Sequence, residues 1–249
     1  MNIAIIGYGN MGHEIEKAAL QRGHAIVERF DINSTLPQAG SDFYKSKKIH
    51  CFIDFSHASA VAYNAETASR LHIPLVEGTT GWHDKKEEIL DVVKKNNGAM
   101  VYGNNFSVGA QMFFRIVRKA AQLMDAFPDY DVGIHETHHT QKKDAPSGTA
   151  MTAANSIMSA LKRKTAIKKD FQAGVIQQNE IGISSARVGT VFGTHSVLFH
   201  SDVDEIEITH KAHSRAGFAL GAVLAAELIQ GVPGIFSFEE LVFEKTFQR

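Results

Sequence analysis

Only one cysteine, Cys51, occurs among the 249 residues, so the chain cannot form an intramolecular disulfide. The formal net charge is −1, which predicts neither a nucleic-acid nor a membrane-surface partner. No run of about 18 apolar residues exists, so we expect no transmembrane helix. The first residues lack a basic leader and enter an apolar segment at once, which predicts no signal peptide. Together these absences predict a cytoplasmic protein that is held together by a hydrophobic core.

Short apolar segments alternate with helical patterns over the first hundred residues. The connections between them are short, which is typical of a parallel sheet that is covered by helices on both faces. The sequence thus predicts an α/β fold with a Rossmann-type doubly wound parallel sheet. The predicted strands are Asn2–Ile6, Ala25–Phe30, Ile49–Phe55, Pro74–Glu77 and Ala99–Tyr102.

The pattern changes after Phe106. A long helix is predicted over Val108–Asp125, a strand over Asp131–Glu136 and a helix over Thr149–Leu161. The stretch from Phe171 to Ala212 reads mostly as strand and turn. We therefore expect a second α+β domain that is built on a mixed sheet.

A glycine-rich turn follows the first predicted strand and opens a helix. In a G-x-G-x-x-G turn the first glycine allows the sharp bend, the second admits a pyrophosphate and the third lets helix and strand pack closely. The helix N-terminus adds N–H donors for the phosphates. The alternative is a tight turn without a ligand. The predicted cofactor residues of this turn are Gly7, Tyr8, Gly9, Asn10, Met11 and Gly12.

Asp31 closes the second predicted strand, where a partner for a ribose hydroxyl is expected. A carboxylate accepts hydrogen bonds from ribose hydroxyls but repels the 2′-phosphate of NADPH. We therefore expect the cofactor to be NADH or NADPH, either with NADH favoured or with both used. Arg29 or a lysine of residues 45–48 is the alternative that would allow NADPH to bind. The other reading of Asp31 is a turn or cap residue.

Two later loops follow predicted strands at the edge where such sheets bind ligands. Their glycines and small polar groups allow a nucleotide to lie against the backbone, and Phe106 offers a ring to pack on a base. The alternative for each loop is an ordinary turn. The candidate cofactor residues are Gly78, Thr79, Thr80, Gly103, Asn104, Asn105 and Phe106.

The segment 135–149 is dense in polar side chains and contains H-E-x-x-H, from His135 to His139. That motif binds zinc only on a helix, where both histidines share one face. The lead-in here predicts a strand, on which the two histidines would stand about 13 Å apart, at ~3.3 Å per residue. We therefore expect no metal site, and the zinc hydrolase remains the disfavoured reading.

The alternative for this segment is proton transfer combined with anion binding. His138 or His139 can exchange a proton, and Lys142 can hold a carboxylate or donate a proton. Gly148 and Thr149 open a helix whose N–H groups can hold an anion, and Arg215 can clamp a carboxylate with two hydrogen bonds. These residues describe a pocket for a small dicarboxylate.

Residues Glu136–Ala150 match the signature E-x-H-H-x-x-K-x-D-A-P-S-G-T-A of the dihydrodipicolinate (4-hydroxy-tetrahydrodipicolinate) reductases of bacterial lysine and diaminopimelate synthesis. The chain resembles that family over nearly its whole length, with further matches at the glycine turn, 54–56, 78–81, 105–109 and 208–212. The resemblance implies NAD(P)H-dependent reduction of a cyclic dicarboxylate to tetrahydrodipicolinate. The competing hypothesis, from a different class, is a dinucleotide-sensing regulator without catalysis.

The resemblance also implies residue roles and an assembly. His138 would be the acid/base residue and Lys142 the proton donor or anion partner, while His139, Gly148 and Thr149 would contact substrate carboxylates. Residues 103–106 would line the nicotinamide. The expected domains are 1–106 plus 216–249 for the dinucleotide and 107–215 for substrate binding and assembly of a homotetramer. The glycine turn is shorter than in many members and lacks their basic residue, which weakens the case for an NADPH preference.

Overall fold

The computed structural model describes residues 1–39, 42–169 and 174–246. These residues form two compact units, one of Met1–Val108 with the C-terminal segment from Arg215, and one of Gly109–Ser214. Residues 171–173 of the predicted strand-rich stretch and residues 247–249 of the predicted C-terminal segment lie outside the described residues. No helix within the described ranges has the length and apolar character needed to cross a bilayer.

The first unit contains a six-stranded sheet in the order β11-β5-β4-β3-β1-β2, with all strands parallel. The fully buried pattern of β3 and β4 is typical of strands covered on both faces. The strands are β1 (Asn2–Ile6), β2 (Ala25–Phe30), β3 (Cys51–Asp54), β4 (Leu75–Glu77), β5 (Ala99–Tyr102) and β11 (Gly234–Ser237).

The helices of this unit lie between these strands and at the C-terminal end of the chain. They are α1 (Asn10–Gln21), α2 (Asp42–Lys47), α3 (Val61–Arg70), α4 (Lys86–Lys95, after a 3-10 turn at His83–Lys85), α7 (Ala216–Leu228) and α8 (Phe238–Thr246). The alanine-rich α7 packs against α1. Gly221 is needed there, because a Cβ at that position would lie 1.6 Å from the carbonyl oxygen of Phe106. The predicted doubly wound parallel sheet is confirmed.

The chain reverses direction across the sheet at β1, since β2 lies on one side of it and β3 on the other. Ligands of such sheets bind outside the carboxyl ends of the strands at this switch point. The glycine turn after β1 and the segment after β3 both lie at that position. The predicted cofactor turn therefore stands where the topology favours a nucleotide.

The second unit is built on a five-stranded sheet in the order β10-β9-β6-β8-β7. Two pairings are antiparallel and two are parallel, so the predicted mixed sheet is confirmed. Its elements are α5 (Val108–Met124), β6 (Asp131–His138), α6 (Gly148–Met158), β7 (Ala166–Lys168), β8 (Glu180–Arg187), β9 (Gly193–His200) and β10 (Glu205–Ala212).

The helices α5 and α6 share one hydrophobic core with the buried face of this sheet. Strand β6 alternates between buried and exposed side chains, with Val132, Ile134, Glu136 and His138 buried. The opposite face carries exposed side chains, including His135 and the 36% exposed Leu198. Because successive side chains of a strand point to opposite faces, Glu136 and His138 both lie on the buried side of the sheet.

Candidate active site

The three glycines of the glycine turn differ in the space around them. Gly7 has φ +88°, and a Cβ there would lie 2.4 Å from the carbonyl oxygen of Phe55. A Cβ at Gly12 would lie 2.4 Å from the carbonyl oxygen of Gly7, so this glycine brings α1 close to the turn. A Cβ at Gly9 would meet no atom within 4 Å. The protein itself therefore requires Gly7 and Gly12, whereas the space at Gly9 is what an approaching pyrophosphate needs.

Helix α1 begins directly after Gly9, and no side chain caps it. Its first N–H groups, at Asn10, Met11 and Gly12, have no intrahelical acceptor and carry the positive end of the helix dipole. Asp31, at the end of β2, accepts hydrogen bonds from the backbone N–H groups of Asn33 (2.8 Å) and Ser34 (3.1 Å) through Oδ1. Oδ1 of Asp31 thus stabilises the turn that follows β2.

The loop after β4 is tied down by its own side chains. Thr79 is 6% exposed, and its hydroxyl accepts a hydrogen bond from the Ser56 N–H at 3.0 Å. Gly78 lies against the ring of Phe55, where a Cβ would approach within 2.2 Å. Thr80 is exposed, unlike Gly78 and Thr79. The side chain of Thr79 therefore supports the loop.

The loop after β5 differs from its sequence interpretation at Phe106. This side chain is 1% exposed and packs on the rings of Phe55 and Phe238, at centroid distances of 5.7 and 4.6 Å. Its ring belongs to the hydrophobic core, because a large apolar side chain gains most when it leaves water. Asn105 closes the turn by accepting a hydrogen bond from the Ser107 N–H at 2.9 Å. Gly103 and Asn104 complete the loop, and Asn104 is exposed.

A buried carboxyl pair beneath these loops was not anticipated from the sequence. Asp54 and Glu77 are both 0% exposed and are register neighbours at the ends of β3 and β4. Asp54 accepts hydrogen bonds from Asn64 (2.7 Å) and from the Ser56 N–H (2.9 Å), while Glu77 accepts one from the Thr79 N–H (2.7 Å). Burial, and then the nearby Asp54, raise the pKa of Glu77 well above its ordinary value. Burial also raises the pKa of Asp54, so the surroundings of the pair oppose two ionised carboxylates.

In the second unit, the H-E-x-x-H segment lies on β6 and its following loop, as the sequence interpretation required. His135 points to the exposed face and lies 2.8 Å from the Ser184 hydroxyl. Glu136 and His138 point to the buried face, and both are at most 6% exposed. His139 follows the strand and is half-buried. The two histidines of the motif thus lie apart, one on the sheet face opposite His138 and one in the loop.

Glu136 is the centre of a network that the sequence did not reveal. Both its oxygens accept from the Ser147 N–H, at 3.1 and 3.2 Å, and Oε1 also accepts from the Ser185 hydroxyl at 2.8 Å. The Arg187 guanidinium lies 3.4 Å away, and His195 lies 3.6 Å away. Burial acts to raise the pKa of Glu136, but the hydrogen bonds from His195, Ser147 and Ser185 outweigh it and hold this pKa well below its ordinary value.

The strand register explains why these groups meet. Glu136 is paired with His195 on β9 and with Ser185 on β8, and His138 is paired with Arg187. The pairings join segments 49 to 59 residues apart in the chain, so no local pattern contains them. Only the alternation on β6 offered a signal, because it places Glu136 and His138 on one face.

His138 lies at the edge of this network. Its Nδ1 is 3.4 Å from Glu136, its ring meets that of His195 at 5.0 Å, and a Cβ at Gly193 would lie 3.0 Å from its Nε2. Burial lowers the pKa of His138 to about 4, against the opposing charge of Glu136. The imidazole is therefore neutral at pH 7.

Ligand atoms of Glu136, His138 and His195 lie within 4.8 Å of one another. A cation at this position would face the Arg187 guanidinium, which already pairs with Glu136. Glu136 also accepts hydrogen bonds from the Ser147 N–H and the Ser185 hydroxyl. The network is therefore that of a buried anion with its donors, which differs from an open metal site.

The loop after β6 leads to the N-terminus of α6. Ser147 caps this helix by accepting from the Ala150 N–H at 3.2 Å, while its own N–H is held by Glu136. Gly148 is exposed, and a Cβ there would meet no atom within 4 Å. The first N–H groups of α6, at Gly148 and Thr149, are therefore open to an anion.

Lys142 lies in the same loop, and its ammonium donates to Asp144 at 2.7 Å. Arg187 donates to the carbonyl oxygens of Lys142 (3.4 Å) and Asp144 (2.6 Å), which fixes the loop on β8. The second unit thus collects His138, His139, Lys142 and the α6 N-terminus along one stretch of chain. Arg215 belongs to the first unit, where it is the exposed N-cap residue of α7.

Comparison with protein families matches both parts of the chain. The family described as "Dihydrodipicolinate reductase, N-terminus" matches residues 1–106, and "Dihydrodipicolinate reductase, C-terminus" matches residues 109–242. The chain belongs to the dihydrodipicolinate reductase family. The family resemblance of the sequence is thus confirmed, and the chain is an NAD(P)H-dependent oxidoreductase of this family.

Relatives match along almost their full length. A 4-hydroxy-tetrahydrodipicolinate reductase of Christiangramia forsetii is 41% identical over 242 residues, which cover 97% of this chain and 98% of the relative. One of Methanosarcina acetivorans is 38% identical, with 97% of this chain and 99% of the relative covered. These comparisons give no support to the dinucleotide-sensing regulator.

Solved structures show the same fold. The dipicolinate-bound dihydrodipicolinate reductase of Paenisporosarcina sp. TG-14 superposes with a TM-score of 0.78 at 22% identity, covering 97% of this chain and 99% of the other. A diaminopimelate dehydrogenase of C. glutamicum gives a TM-score of 0.54 at 14% identity, with 96% and 93% covered. At these identities the likeness concerns the fold alone.

Proposed function

We propose that the protein catalyses the NAD(P)H-dependent reduction of 4-hydroxy-tetrahydrodipicolinate to tetrahydrodipicolinate, in lysine and diaminopimelate biosynthesis. The observation that carries this proposal is the grouping of a buried histidine, a lysine and an open helix N-terminus in the second unit. A small dicarboxylate needs anion-binding groups and a proton source, and this grouping offers both. The first unit offers the open glycine turn at the switch point of its sheet.

The substrate carboxylates would be held by the chain's own donors. The N–H groups of Gly148 and Thr149 would bind one carboxylate, with His139 beside it. Lys142 would exchange its partner Asp144 for a substrate carboxylate, and Arg215 would add a bidentate clamp. Charge that develops on the substrate in the transition state would be stabilised by the same cations.

The substrate would first lose its 4-hydroxyl group together with a ring proton as water, and the bound nicotinamide would then supply a hydride to the ring. A proton must then follow, and we propose that His138 provides it. His138 is neutral in the free protein, because burial lowers its pKa to about 4. A bound dicarboxylate would favour the charged imidazole, since an opposite charge raises a histidine pKa. His138 would thus take up a proton with the substrate and deliver it during reduction, with Lys142 as the second proton donor.

The nucleotide would lie on Gly7, Tyr8 and Gly9, with its phosphates at the N–H groups of Asn10, Met11 and Gly12. We propose that Asp31 binds the adenosine ribose through Oδ2, since its Oδ1 holds the turn. Gly78, Thr79 and Thr80 would line the nucleotide, and the 103–106 loop would line the nicotinamide through its backbone, because the ring of Phe106 is buried. NADH is favoured, or both cofactors are used.

A direct assay tests the activity. The purified protein is mixed with NADH and the product of dihydrodipicolinate synthase, and the loss of NADH absorbance is followed from pH 6 to 9. Turnover that requires both compounds is expected. Absence of turnover at every pH, with NADH or NADPH, contradicts the proposed function.

The glycine turn can be tested separately by two matched substitutions. Gly9→Ala should leave the thermal unfolding temperature unchanged but weaken NADH binding, because only a ligand competes for the space of the new methyl group. Gly7→Ala should destabilise the fold, because φ is positive and a Cβ meets Phe55. Unchanged NADH affinity in Gly9→Ala would remove the turn from the cofactor site.

We also propose a homotetramer in the cytoplasm, where reduced nicotinamide cofactors are produced. The exposed face of the second sheet, which carries Leu198 and His135, is suited to pair with the same face of another copy. Light scattering behind a size-exclusion column should give four times the mass of one chain. Leu198→Lys should lower this mass, whereas Val203→Lys, at an exposed loop residue, serves as the control.

A further inference from the structure

Glu16 and Arg29, which have no part in the proposed reaction, form a cluster with Tyr8 of the glycine turn, and we call these three residues the arginine clamp. Arg29 donates to Glu16 with both Nε (3.1 Å to Oε2) and Nη2. The Tyr8 hydroxyl donates to the same carboxylate, and the Arg29 guanidinium lies 5.4 Å from the centre of the Tyr8 ring. One carboxylate and one aromatic face thus hold the guanidinium.

The clamp lies beside the expected position of the adenosine ribose. Tyr8 belongs to the glycine turn, and Arg29 stands two residues before Asp31 on β2. Arg29 and Asp31 are exposed whereas Phe30 is buried, so alternation places the first two on one side, roughly 6.6 Å apart along the strand. Arg29 is therefore within reach of a group attached to the ribose that Asp31 would bind.

The charges around this ribose disfavour a phosphate. Arg29 is one cation, whereas Glu16 and Asp31 are two carboxylates. The hydrogen bond from Arg29 lowers the pKa of Glu16, so Glu16 stays ionised. Lys47, a further cation near β2, is paired with Glu28 at 2.9 Å. A guanidinium already engaged by a carboxylate can bind a 2′-phosphate only if that pair is broken.

We propose that Glu16 is a specificity-determining residue, which favours NADH over NADPH by holding and neutralising Arg29 in the clamp. This inference rests on the proposed nucleotide function of the first unit. Removing the negative charge of Glu16 would leave Arg29 as a free cation beside the ribose. NADPH would then gain a charge-assisted hydrogen bond that NADH cannot make.

The experiment measures the dissociation constants of NADH and NADPH by calorimetry, for the full-length protein and its variants. Glu16→Gln should tighten NADPH binding about tenfold, the size of one hydrogen bond to a charged group, and change NADH binding less than about twofold. Adding Arg29→Gln to Glu16→Gln should abolish the gain. Glu66→Gln serves as the control, since it removes a carboxylate from the exposed pair with Arg70 on α3.

Arg29→Gln alone provides a second test, should the first variant fold poorly. It leaves the negative charge of Glu16 without its cation, so NADPH should bind more weakly than in the unmodified protein while NADH changes little. An unchanged ratio of NADPH to NADH affinity in either variant overturns the inference. Failure of the unmodified protein to bind either nucleotide contradicts the proposed function itself, and with it the role of the clamp.

Discussion

The two units each bury carboxylates at strand ends, yet they treat the charge in opposite ways. In the second unit, Glu136 is surrounded by the donors Ser147, Ser185 and Arg187, and its pKa is held well below the ordinary range. In the first unit, Asp54 and Glu77 face each other, and burial raises the pKa of both.

The buried carboxylates of the two units stabilise different features. A permanent anion at Glu136 can hold the N-terminus of α6 and the neighbouring Arg187 in place, since an ionised carboxylate accepts strong hydrogen bonds. Asp54 and Glu77 hold the loops after β3 and β4 with less charge, because two adjacent buried carboxylates resist ionising together. The second unit thus holds its buried carboxylate as an anion, whereas in the first unit burial opposes the ionisation of the pair.

The largest expected effect separates chemistry from nucleotide binding. His138→Ala should lower kcat about a thousandfold, within the range for loss of a general acid, with the dissociation constant of NADH changed less than about twofold. Steady-state kinetics and calorimetry give both numbers. His83→Ala, at an exposed histidine of the first unit, is the control and should retain activity. Equal losses of kcat and NADH affinity in His138→Ala would assign this residue a structural role.

Removing the permanent anion should cost the most stability. Glu136→Ala removes the carboxylate partner of the partly exposed Arg187 cation and the acceptor of the Ser147 N–H, and should destabilise the protein by about 3 kcal/mol. Chemical denaturation at pH 7 measures this, and Glu205→Ala, at an exposed carboxylate on β10, should stay within about 0.5 kcal/mol.

The pH dependence of this loss provides its check. Glu136 has a depressed pKa, so its stabilisation is full above the unfolded value of about 4.3 and is lost as the pH falls further. The gap between the unmodified protein and Glu136→Ala should therefore narrow below about pH 4. A constant gap would show that packing, and not charge, accounts for the loss.

A smaller effect concerns the substrate clamp. Arg215→Ala should raise the substrate KM about tenfold, the usual size of one lost charge-assisted interaction, and leave NADH affinity unchanged. The control is Arg70→Ala, which removes an exposed arginine of α3. An unaltered KM would exclude Arg215 from the substrate site.

The smallest effect should have the opposite pH dependence. Glu77 has a raised pKa, so its stabilisation is full below about pH 4.3 and declines as the pH rises towards the folded value. Glu77→Gln keeps a neutral donor beside Asp54 and should exceed the unmodified protein in stability at pH 8 by about 1 kcal/mol, the value of one hydrogen bond. The advantage should shrink at pH 5, as denaturation curves can show. Glu88→Gln, at an exposed position on α4, should show no such trend.

The sequence predicted the first sheet and the glycine turn well, because these depend on local signals. A buried strand, a turn that requires positive φ and a helix start each occupy a few adjacent residues. The Asp131–Glu136 strand was also predicted, and with it the zinc motif was disfavoured, because a strand separates residues that a helix would bring together.

Other features lay beyond the sequence. The ring of Phe106 was predicted to face the cofactor, but the packing of Phe55 and Phe238 draws it into the core. The sequence showed Glu136 only within the zinc motif and the family signature, and its partners His195 and Arg187 were not anticipated.

The sequence by itself determined the family, the alternation of strands and helices, and the turn where a nucleotide would bind. Each of these is written in neighbouring residues, through periodicity, glycine conformations and a long signature. The tertiary structure alone decided which charges are buried together: Glu136 with Arg187 and His195, and Asp54 with Glu77. Those encounters depend on strand register between distant segments, and burial in a low-dielectric interior then sets which groups hold a proton.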